Sequence, residues 1–324
     1  MEKVYYADNY LKEIICTVTD VQKTDKNIQV LTDGTIFYPE GGGQPGDVGN
    51  LGNFQVLDTK KLEDGSSALI LDGSCDIQVG QIYKLKLDWA HRYKFMVMHT
   101  AQHLLSGLLF NLYQIGTVAV HLGDEYLTIE LDKSEIEEEQ IEGLICAANA
   151  AIEEGHRILY HQLSHSAALA LGMRRSIKVE GDVRVVEIEG IDKIACGGVH
   201  VANTKEIRLI YCLGQEQIRG HVRLFFCCGE TAVFNTIANA KAVSIVNSKL
   251  SCKTAEIEEK LSSLITSFNE IKAQKTLLAK KIAYYELKEA INDAGICLID
   301  CEEGTDIQPY GQALSLFDDM ALCI

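Results

Sequence analysis

The sequence has little proline, at only 3 of its 324 residues, and it has no long apolar run. A membrane-spanning helix needs about 18 consecutive apolar residues, and no such run occurs. The first residues also lack the apolar core of a secretory signal. We therefore expect a soluble, cytoplasmic protein. The 11 cysteines are scattered along a large chain, so we expect free thiols and metal ligands rather than a disulfide framework.

Basic residues are also outnumbered by acidic ones. Lysine and arginine total 30 against 46 aspartates and glutamates, which gives a formal net charge of −16. This balance argues against a general nucleic-acid coat protein. It leaves room for a local basic face, because phosphate contacts depend on where lysines and arginines cluster. With 47% apolar residues, the chain can bury cores for two domains and an added element.

Residues 1–88 are predicted to form a small β-barrel domain. Short apolar segments at residues 28–31, 68–71 and 83–87 are separated by Asp-Gly and Gly-Ser turns, a pattern typical of short strands. Asp88 is placed to cap a helix that runs to about Tyr113, because apolar residues recur there at intervals of three and four.

Residues 89–234 are predicted to form an α+β domain. A second helix should begin after Ser134, where Glu137 three residues later completes a capping box. A shorter helix should follow Ser164. Strand-like runs lie at residues 127–131, 183–188 and 207–212.

From Thr236 to Tyr285 the sequence predicts one long helix, placed over residues 235–291. Apolar residues recur there alternately four and three positions apart, which is a heptad pattern. Polar residues interrupt it at Asn247, Thr254 and Lys275. This apolar seam could pair with another helix in a coiled coil, which would make a homodimer, or pack against the chain's own domains. Both interpretations remain open. Residues 292–324 fit the start of a C-terminal extension that is cut short.

Two short signatures about ninety residues apart offer four metal-ligand side chains. His99 and His103 are four positions apart on the first predicted helix, so both imidazoles can face one ion. Cys196 and His200 have the same spacing, and two intervening glycines let the backbone turn sharply. These four side chains are of the types that bind zinc tetrahedrally.

The zinc site could be structural or catalytic. Its first signature is similar to the His-Glu-x-x-His of zinc proteases, but Thr100 stands in place of the glutamate that activates water, so protease activity is not expected. Four protein ligands are typical of a closed structural site. A catalytic role would require one of the four ligands to be weak or displaced, and the sequence leaves this open.

A glycine-rich loop spans Thr35 to Gly49. Three successive glycines precede Gln44, and without β-carbons their amides can approach a ligand closely. The loop lacks the Gly-Lys-Ser/Thr and Rossmann spacings, so a nucleotide phosphate loop is excluded. A tight barrel turn and a ligand-facing loop both fit, and the polar, aromatic and acidic neighbours favour the ligand-facing loop.

Together these residues resemble the editing domain of alanyl-tRNA synthetase and the freestanding alanyl-tRNA editing proteins of the AlaX type. The match covers about residues 1–234. It rests on three stretches, Thr35–Gly49, His99–Leu105 and Cys196–Ile207, and on a weaker fourth, Gly172–Ile188. The order and joint occurrence of these motifs are highly specific.

The resemblance implies a zinc-dependent, ATP-independent hydrolase that serves translation fidelity. It implies an N-terminal β-barrel and then an α+β editing domain, with zinc held by His99, His103, Cys196 and His200. The implied substrate is tRNA for alanine that wrongly carries serine or glycine, whose ester bond is hydrolysed. Only 34 residues precede Thr35, too few for an aminoacylation core, which implies an editor that acts in trans.

Further candidate site residues lie in and around these motifs. Gln44 and the amides of Gly42 and Gly43 are expected to donate hydrogen bonds to the terminal adenosine or to the developing oxyanion. By resemblance Thr35 is a candidate for sensing the serine hydroxyl, and it fits an ordinary strand residue equally well. The tRNA face is expected to use basic side chains, namely Arg174, Arg175, Lys178, Arg219, His221 and Arg223.

One residue departs from the family pattern, because Val199 stands where the family usually has threonine. Loss of that hydroxyl is expected to affect substrate orientation or metal tuning rather than ligation. The pairs Cys227–Cys228 and Cys297–Cys301 are expected to be ordinary thiols, since no nearby histidine completes a second metal site.

Two other functions remain open. One is a tRNA-binding module in which the zinc is purely structural and no activity remains. The other is an editor of mischarged tRNA for threonine, whose synthetase carries a related zinc domain. The glycine-rich loop favours alanine over threonine.

Overall fold

The computed structural model describes residues 1–24, 26–177, 181–292 and 306–317. The chain divides into two units, Met1–Ile237 and Ala238–Ile324. The helices are α1 Val4–Ala7, α2 Trp89–Tyr113, α3 Glu138–Glu154, α4 His165–Ala170, α5 Gly229–Leu250, α6 Ile257–Ala290 and α7 Gln308–Leu314. The strands are β1 Glu2–Lys3, β2 Glu13–Lys23, β3 Asn27–Thr32, β4 Gly34–Thr35, β5 Gly49–Leu51, β6 Phe54–Lys61, β7 Ser67–Asp72, β8 Ile82–Leu87, β9 Thr117–Leu122, β10 Leu127–Leu131, β11 Ile158–Leu163, β12 Val183–Ile188, β13 Asp192–Ala195, β14 Ile210–Ile218 and β15 His221–Cys228.

A closed barrel of six strands, in the order β2-β3-β7-β6-β5-β8, lies in the N-terminal part of the first unit. Side chains of β3 alternate between buried and partly exposed, and Ile28 and Val30 are fully buried. Leu69, Leu71 and Leu85 from β7 and β8 belong to the same core. The predicted barrel is confirmed, and each of its three predicted strands lies inside an observed strand.

Helix α2 is the central element of the α+β part that follows the barrel. The Asp88 carboxylate caps it by accepting a hydrogen bond from the His91 amide, and the helix ends at Tyr113 as predicted. It packs beside the antiparallel sheet of order β14-β15-β10-β9. Leu104 of the helix and Leu224 of the sheet are fully buried in one core.

A second antiparallel sheet, of order β11-β12-β13, carries the cysteine-histidine signature. Strand β13 ends at Ala195, so Cys196 is the first residue of the loop that leaves this sheet. The loop turns back towards α2, because Val199 and Val201 are buried in the core that contains this helix. The strands predicted at residues 127–131 and 183–188 are confirmed as β10 and β12.

A buried ion pair joins α2 to the glycine-rich loop. The Arg92 and Asp47 side chains are 0% and 2% exposed, and Arg92 Nε lies 2.9 Å from both carboxylate oxygens. Arg92 also donates to the carbonyl oxygens of Asn9, at 3.1 Å, and Ile36. Asp47 further accepts the Tyr38 amide hydrogen. Both charges are thus paired and hydrogen-bonded, which is the condition for burying them.

The predicted start of the second helix is wrong by three residues. Helix α3 begins at Glu138, with a capping box formed by Glu137 and Gln140, whereas the sequence placed the box at Ser134 and Glu137. The Ser134 carbonyl instead accepts a hydrogen bond from Gln217 Nε2 at 2.8 Å. This contact holds residue 134 against β14 and outside the helix.

The strand predicted at residues 207–212 is also partly wrong, because β14 begins only at Ile210. The residues before it form a 3₁₀ turn, Thr204–Ile207, closed by a capping box between Asn203 and Glu206. Asparagine followed by glutamate three residues later satisfies the free amides at such a start.

The predicted continuous helix from Thr236 to Tyr285 is wrong at one point, since the chain breaks between α5 and α6. Ser251 has a left-handed φ of 50°, and the Asn247 side chain donates to Thr254 Oγ1 at 3.0 Å across the break. Short polar side chains compete with the helical backbone through such local hydrogen bonds. The 34 residues of α6 retain the predicted long helix.

The apolar seam of α6 is largely exposed. Leu264, Phe268 and Ile271 are 56%, 65% and 63% exposed, while Ala283 and Leu287 near its C-terminal end pack against α7. Coiled-coil pairing and a homodimer stay predictions, as do domain boundaries at residues 88, 234 and 291. Most of the predicted extension over residues 292–324 lies outside the described residues. Within the described ranges, no helix has the length and apolarity required to cross a membrane.

We predict that stability depends on the Arg92–Asp47 pair. Asp47→Ala leaves an unpaired guanidinium in the core and should lower the free energy of unfolding by about 3–5 kcal/mol, measured by urea denaturation. The double variant Arg92→Met, Asp47→Leu removes both charges and should recover only part of that loss, because the Tyr38 amide and the Asn9 and Ile36 carbonyls also lose a partner. Glu13→Ala, which breaks a half-exposed pair with Lys84, is the control and should cost less than about 1 kcal/mol. Equal costs for the two alanine variants would contradict the argument from burial.

Candidate metal centre

The two histidines of α2 meet the cysteine and histidine of the loop after β13. His99 and His103 are 3% and 4% exposed and lie one helical turn apart on the same face. Cys196 and His200 approach them from the loop, and the ligand atoms of all four residues lie within 4.8 Å of one another. The fold thus brings together the four predicted ligands, and this group could hold a metal ion.

The donor geometry fits a tetrahedral ion. Cys196 Sγ lies 3.5 Å from His99 Nε2 and 3.5 Å from His200 Nε2. Zinc bonds of about 2.3 Å to sulfur and about 2.1 Å to nitrogen, at the tetrahedral angle, also place such atoms about 3.5 Å apart. The donor types and their spacing therefore match zinc.

Gln44 fixes the orientation of His99. Its Oε1 lies 2.8 Å from His99 Nδ1 and 3.3 Å from the Val199 amide nitrogen. Because a backbone amide can only donate, the atom facing it must be the Gln44 oxygen, and His99 Nδ1 must carry the proton that this oxygen accepts. The lone pair of His99 is then on Nε2, the atom that faces Cys196.

Thr100 has the same effect on His200. Its hydroxyl donates to the Met96 carbonyl at 2.9 Å and accepts from the Val201 amide at 3.2 Å. His200 Nδ1 lies 3.2 Å from the same oxygen and must be the donor, since the hydroxyl proton is already used. The residue that excluded protease chemistry is therefore a support for a ligand, which sequence reasoning did not foresee.

Burial keeps the three imidazoles neutral. It lowers the pKa of His99 to about 3, with the positive charge of Arg184 adding to the effect. It lowers the pKa values of His103 and His200 well below their usual value, and it raises the pKa of the Cys196 thiol. Neutral imidazole is the form that binds metal, whereas the thiol must release its proton when an ion binds.

Arg184 holds residues 196–200, which we call the metal loop. Its Nη1 atom donates to the carbonyl oxygens of Cys196 and Gly198 at 2.8 and 2.9 Å. Gly198 passes so close to His99 that a β-carbon there would overlap the imidazole ring. Sequence reasoning placed Arg184 within the weaker fourth stretch but assigned it no role, since nothing in that stretch relates it to carbonyls farther along the chain.

Two tyrosines complete the support of the metal loop. The Arg184 guanidinium lies 4.6 Å from the ring centre of Tyr6 and 4.5 Å from that of Tyr160, within the range of cation–π attraction. The Tyr6 hydroxyl donates to the Gly197 carbonyl at 2.9 Å, and the Tyr160 hydroxyl lies 3.4 Å from the His200 carbonyl.

A cavity of about 370 Å³, which we call the first cavity, opens beside the metal ligands. His99, His103 and Cys196 form part of its wall. The glycine-rich loop contributes Gly42 to the same wall. Its basic lining residues are Lys3, Lys61, Arg174 and Arg175.

Two of the other predicted substrate contacts, Thr35 and Gln44, are buried and do not line this cavity. Gln44 is 1% exposed and Thr35 is 0% exposed, and Thr35 Oγ1 accepts the Phe37 amide hydrogen at 3.0 Å. As the described residues define it, the first cavity is lined by Gly42 but not by Thr35, Gly43 or Gln44. The predicted roles of these residues towards substrate stay predictions.

The predicted tRNA-facing arginines near the first cavity differ in exposure. The Arg174 side chain is 6% exposed and makes a bidentate ion pair with Asp192, at 2.9 and 3.1 Å. Arg175 is exposed and lines the same cavity. Lys178 lies outside the described residues.

The remaining predicted basic residues belong to the β14–β15 hairpin. Arg219 is exposed in the turn, and His221 begins β15. Arg223 pairs with Glu216 at 3.0 Å and with Glu130 at 3.5 Å, so its charge is largely balanced. Contacts of this group with tRNA stay predictions.

The cysteine pair Cys227–Cys228 consists of buried free thiols, as expected. Cys227 Sγ accepts a hydrogen bond from Asn235 at 3.5 Å. The predicted pair Cys297–Cys301 lies outside the described residues.

Comparison with known proteins begins with a family model described as threonyl and alanyl tRNA synthetase second additional domain. It matches residues 183–224, the segment that contains Arg184 and the metal loop. This match assigns the segment to a class of domains appended to two tRNA synthetases.

Three relatives define the protein more closely. It is 33% identical over 228 residues to the alanyl-tRNA editing protein AlaX-M of Pyrococcus horikoshii, covering 68% of this chain and 95% of the relative. It is 35% identical over 241 residues to AlaX-L of the same organism, covering 72% of this chain and 59% of that relative's length. Alanine–tRNA ligase of Sulfurisphaera tokodaii is 28% identical over 321 residues, which cover 92% of this chain and 34% of the ligase. The chain belongs to the family of freestanding alanyl-tRNA editing proteins of the AlaX type.

We predict that the hydroxyl of Thr100 strengthens metal binding through His200. Thr100→Val removes the acceptor for His200 Nδ1 and should weaken zinc affinity about 10- to 100-fold, measured by competition with a chromogenic chelator. Thr100→Ser keeps the hydroxyl and should remain close to the wild-type affinity. Unchanged affinity in the valine variant would show that this contact does not orient the ligand.

Proposed function

We propose that this protein removes serine or glycine from mischarged tRNA for alanine by hydrolysing the aminoacyl ester, in trans and without ATP, in the cytoplasm. The observation that carries the proposal is the quartet of His99, His103, Cys196 and His200 beside the first cavity, with its three histidines buried. The relatives AlaX-M and AlaX-L, named alanyl-tRNA editing proteins, support the substrate class.

We assign zinc to the quartet, where it would supply a Lewis acid and a bound water of lowered pKa. Three ligands have a support that fixes them: Gln44 for His99, Thr100 for His200, and Arg184 for the backbone of Cys196. His103 differs, because its Nδ1 atom is buried without a hydrogen-bond partner among the described residues.

Positioning of the ester is the second contribution of the chain. An aminoacyl ester is already reactive, so correct placement supplies much of the required acceleration. Gly42 has a φ of 63° and a β-carbon there would meet nothing within 4 Å, so this part of the loop is open to a ligand. We assign the amides of the glycine-rich loop to the terminal adenosine or the developing oxyanion, and Thr35 to the serine hydroxyl.

Basic side chains at the first cavity support binding of an RNA end. Lys3, Lys61 and Arg175 line this cavity, and none of them has an ion-pair partner within the described residues. In a chain with a net charge of −16, such a local cluster would attract phosphates to the cavity rather than to the whole surface.

Two alternatives have a specific observation in their favour. Four protein ligands favour a tRNA-binding module with a structural zinc. The family model, which covers threonyl as well as alanyl tRNA synthetase, favours an editor of mischarged tRNA for threonine. Deacylation assays with and without metal distinguish the binding module from the proposed editor. A comparison of mischarged tRNAs for alanine and for threonine distinguishes the two editors.

We predict selective deacylation. Purified protein with about one zinc per chain should release serine from seryl-tRNA for alanine much faster than alanine from the correctly charged tRNA, measured by loss of acid-precipitable radiolabel. Removing the zinc with a chelator should abolish release, and zinc should restore it. Absence of release by folded, zinc-loaded protein would favour the binding module, and preference for seryl-tRNA for threonine would favour the other editor.

We also predict that Cys196→Ala lowers zinc content and abolishes hydrolysis, because it removes the thiolate ligand and leaves three imidazoles. Cys146→Ala is the matched control, since Cys146 is an exposed free cysteine, and it should keep both properties. Zinc content and deacylation rate are measured on the same samples. Full zinc content and wild-type activity in Cys196→Ala would contradict the shared site.

A further inference from the structure

A second cavity, of about 530 Å³, lies next to the first. The two cavities share part of their walls, namely Lys3, Tyr6, Ala195, Cys196 and Gly197. A ligand bound in the first cavity could therefore continue into the second, past the start of the metal loop.

The first cavity, at about 370 Å³, is of a size to hold a single nucleoside with its ester. Its volume of about 370 Å³ is near the lower end of the roughly 300–1,000 Å³ that drug-sized ligands occupy. If the aminoacylated adenosine lies there, the nucleotide joined to it must lie next to that cavity. The second cavity, which is open to the surface, shares a wall with the first.

The lining of the second cavity suits a nucleic-acid base. Tyr160 lines it and is 40% exposed, and Tyr6, also in the wall, is 38% exposed. Arg184 lies over both rings, so aromatic and guanidinium planes are grouped in this wall. Bases of single-stranded RNA stack on both kinds of plane.

The charges in the second cavity give the ligand an orientation. Lys3 lines both cavities and has no ion-pair partner within the described residues. The pairing of β1 with β4 holds it opposite Thr35. Asp182 also lines the second cavity and would repel a phosphate, while His161 in the same wall is paired with Glu187 at 2.8 Å. A phosphodiester between the two cavities is therefore best placed beside Lys3.

We propose that the second cavity binds the nucleotide that precedes the aminoacylated adenosine, with its base against Tyr160 and its 3′-phosphate beside Lys3. This inference rests on the proposed function, because it takes the terminal nucleoside to occupy the first cavity. It adds a contact that a free aminoacyl nucleoside cannot make, so the second cavity would favour an RNA end over the bare ester.

The test compares two substrates that differ in this nucleotide. Values of kcat/KM are measured for a seryl microhelix of the alanine tRNA acceptor stem and for 3′-O-seryl-adenosine. Tyr160→Ala should lower the ratio of kcat/KM for the microhelix to kcat/KM for seryl-adenosine at least about fivefold, which is the loss expected for one base stack. Tyr160→Phe keeps the ring and should preserve the ratio. Tyr126→Ala, at an exposed tyrosine outside both cavities, should change neither value.

An equal loss on both substrates in Tyr160→Ala would mean that this residue acts through the His200 carbonyl, and it would overturn the proposal. An unchanged ratio would overturn it as well. Tyr160→Ala could also perturb the loop that it touches, and Tyr160→Phe, which keeps the ring but lacks the hydroxyl, separates that effect from stacking.

A binding measurement keeps this inference separate from the proposed function. Uncharged microhelices that lack one or two 3′-terminal nucleotides are titrated by fluorescence anisotropy. Removal of the second nucleotide should weaken binding to the wild-type protein at least about fivefold and have no such effect on Tyr160→Ala. If binding depends on the second nucleotide in this way but no ester is hydrolysed, the proposed function is rejected and the role of the second cavity is kept. If the ester is hydrolysed but binding does not depend on the second nucleotide, the proposed function is kept and the role of the second cavity is rejected.

Discussion

The buried Arg92–Asp47 pair is the interaction on which the candidate metal site depends. Asp47 anchors the loop that carries Gln44, and Gln44 orients His99. Arg92 also donates to the Asn9 carbonyl, and the Asn9 side chain donates to the His200 carbonyl at 3.1 Å. One guanidinium therefore positions a support of His99 on α2 and a support of His200 in the metal loop. No water can replace these contacts at 0% exposure, so their geometry is fixed by the fold.

The positive charge of Arg184 lowers the pKa values of both His99 and Cys196. It adds to the lowering of the His99 pKa, and it opposes the rise that burial causes in the Cys196 pKa. A nearby cation disfavours imidazolium and favours thiolate, and these are the two changes that prepare a site for a divalent ion. The same side chain holds the metal loop through two carbonyls. Arg184 thus contributes to the geometry of the site and modifies an ionisation that burial dominates.

Periodicity and motif spacing predicted the barrel, helix α2 and the four ligands, because each of these depends on residues a few positions apart. The supports of the ligands depend on pairs such as Gln44–His99 and Thr100–His200, which are 55 and 100 residues apart. A single sequence contains no signal for such pairs. The break at Ser251 was missed for a different reason, since the heptad pattern continues through it while the local polar side chains end the helix.

The acidity of the chain has a physical role if the proposed function is right. Arg223 and Arg157 are paired with glutamates on the surface, and Arg174 is paired with Asp192 beside the first cavity. These pairs leave little free positive charge over those parts of the surface. Because salt screens exposed charges beyond about 8 Å, cations at the mouth of a cavity act only on phosphates that have reached it. An RNA end that enters the cavity then gains contacts with Lys3, Lys61 and Arg175 that the body of the same RNA cannot make.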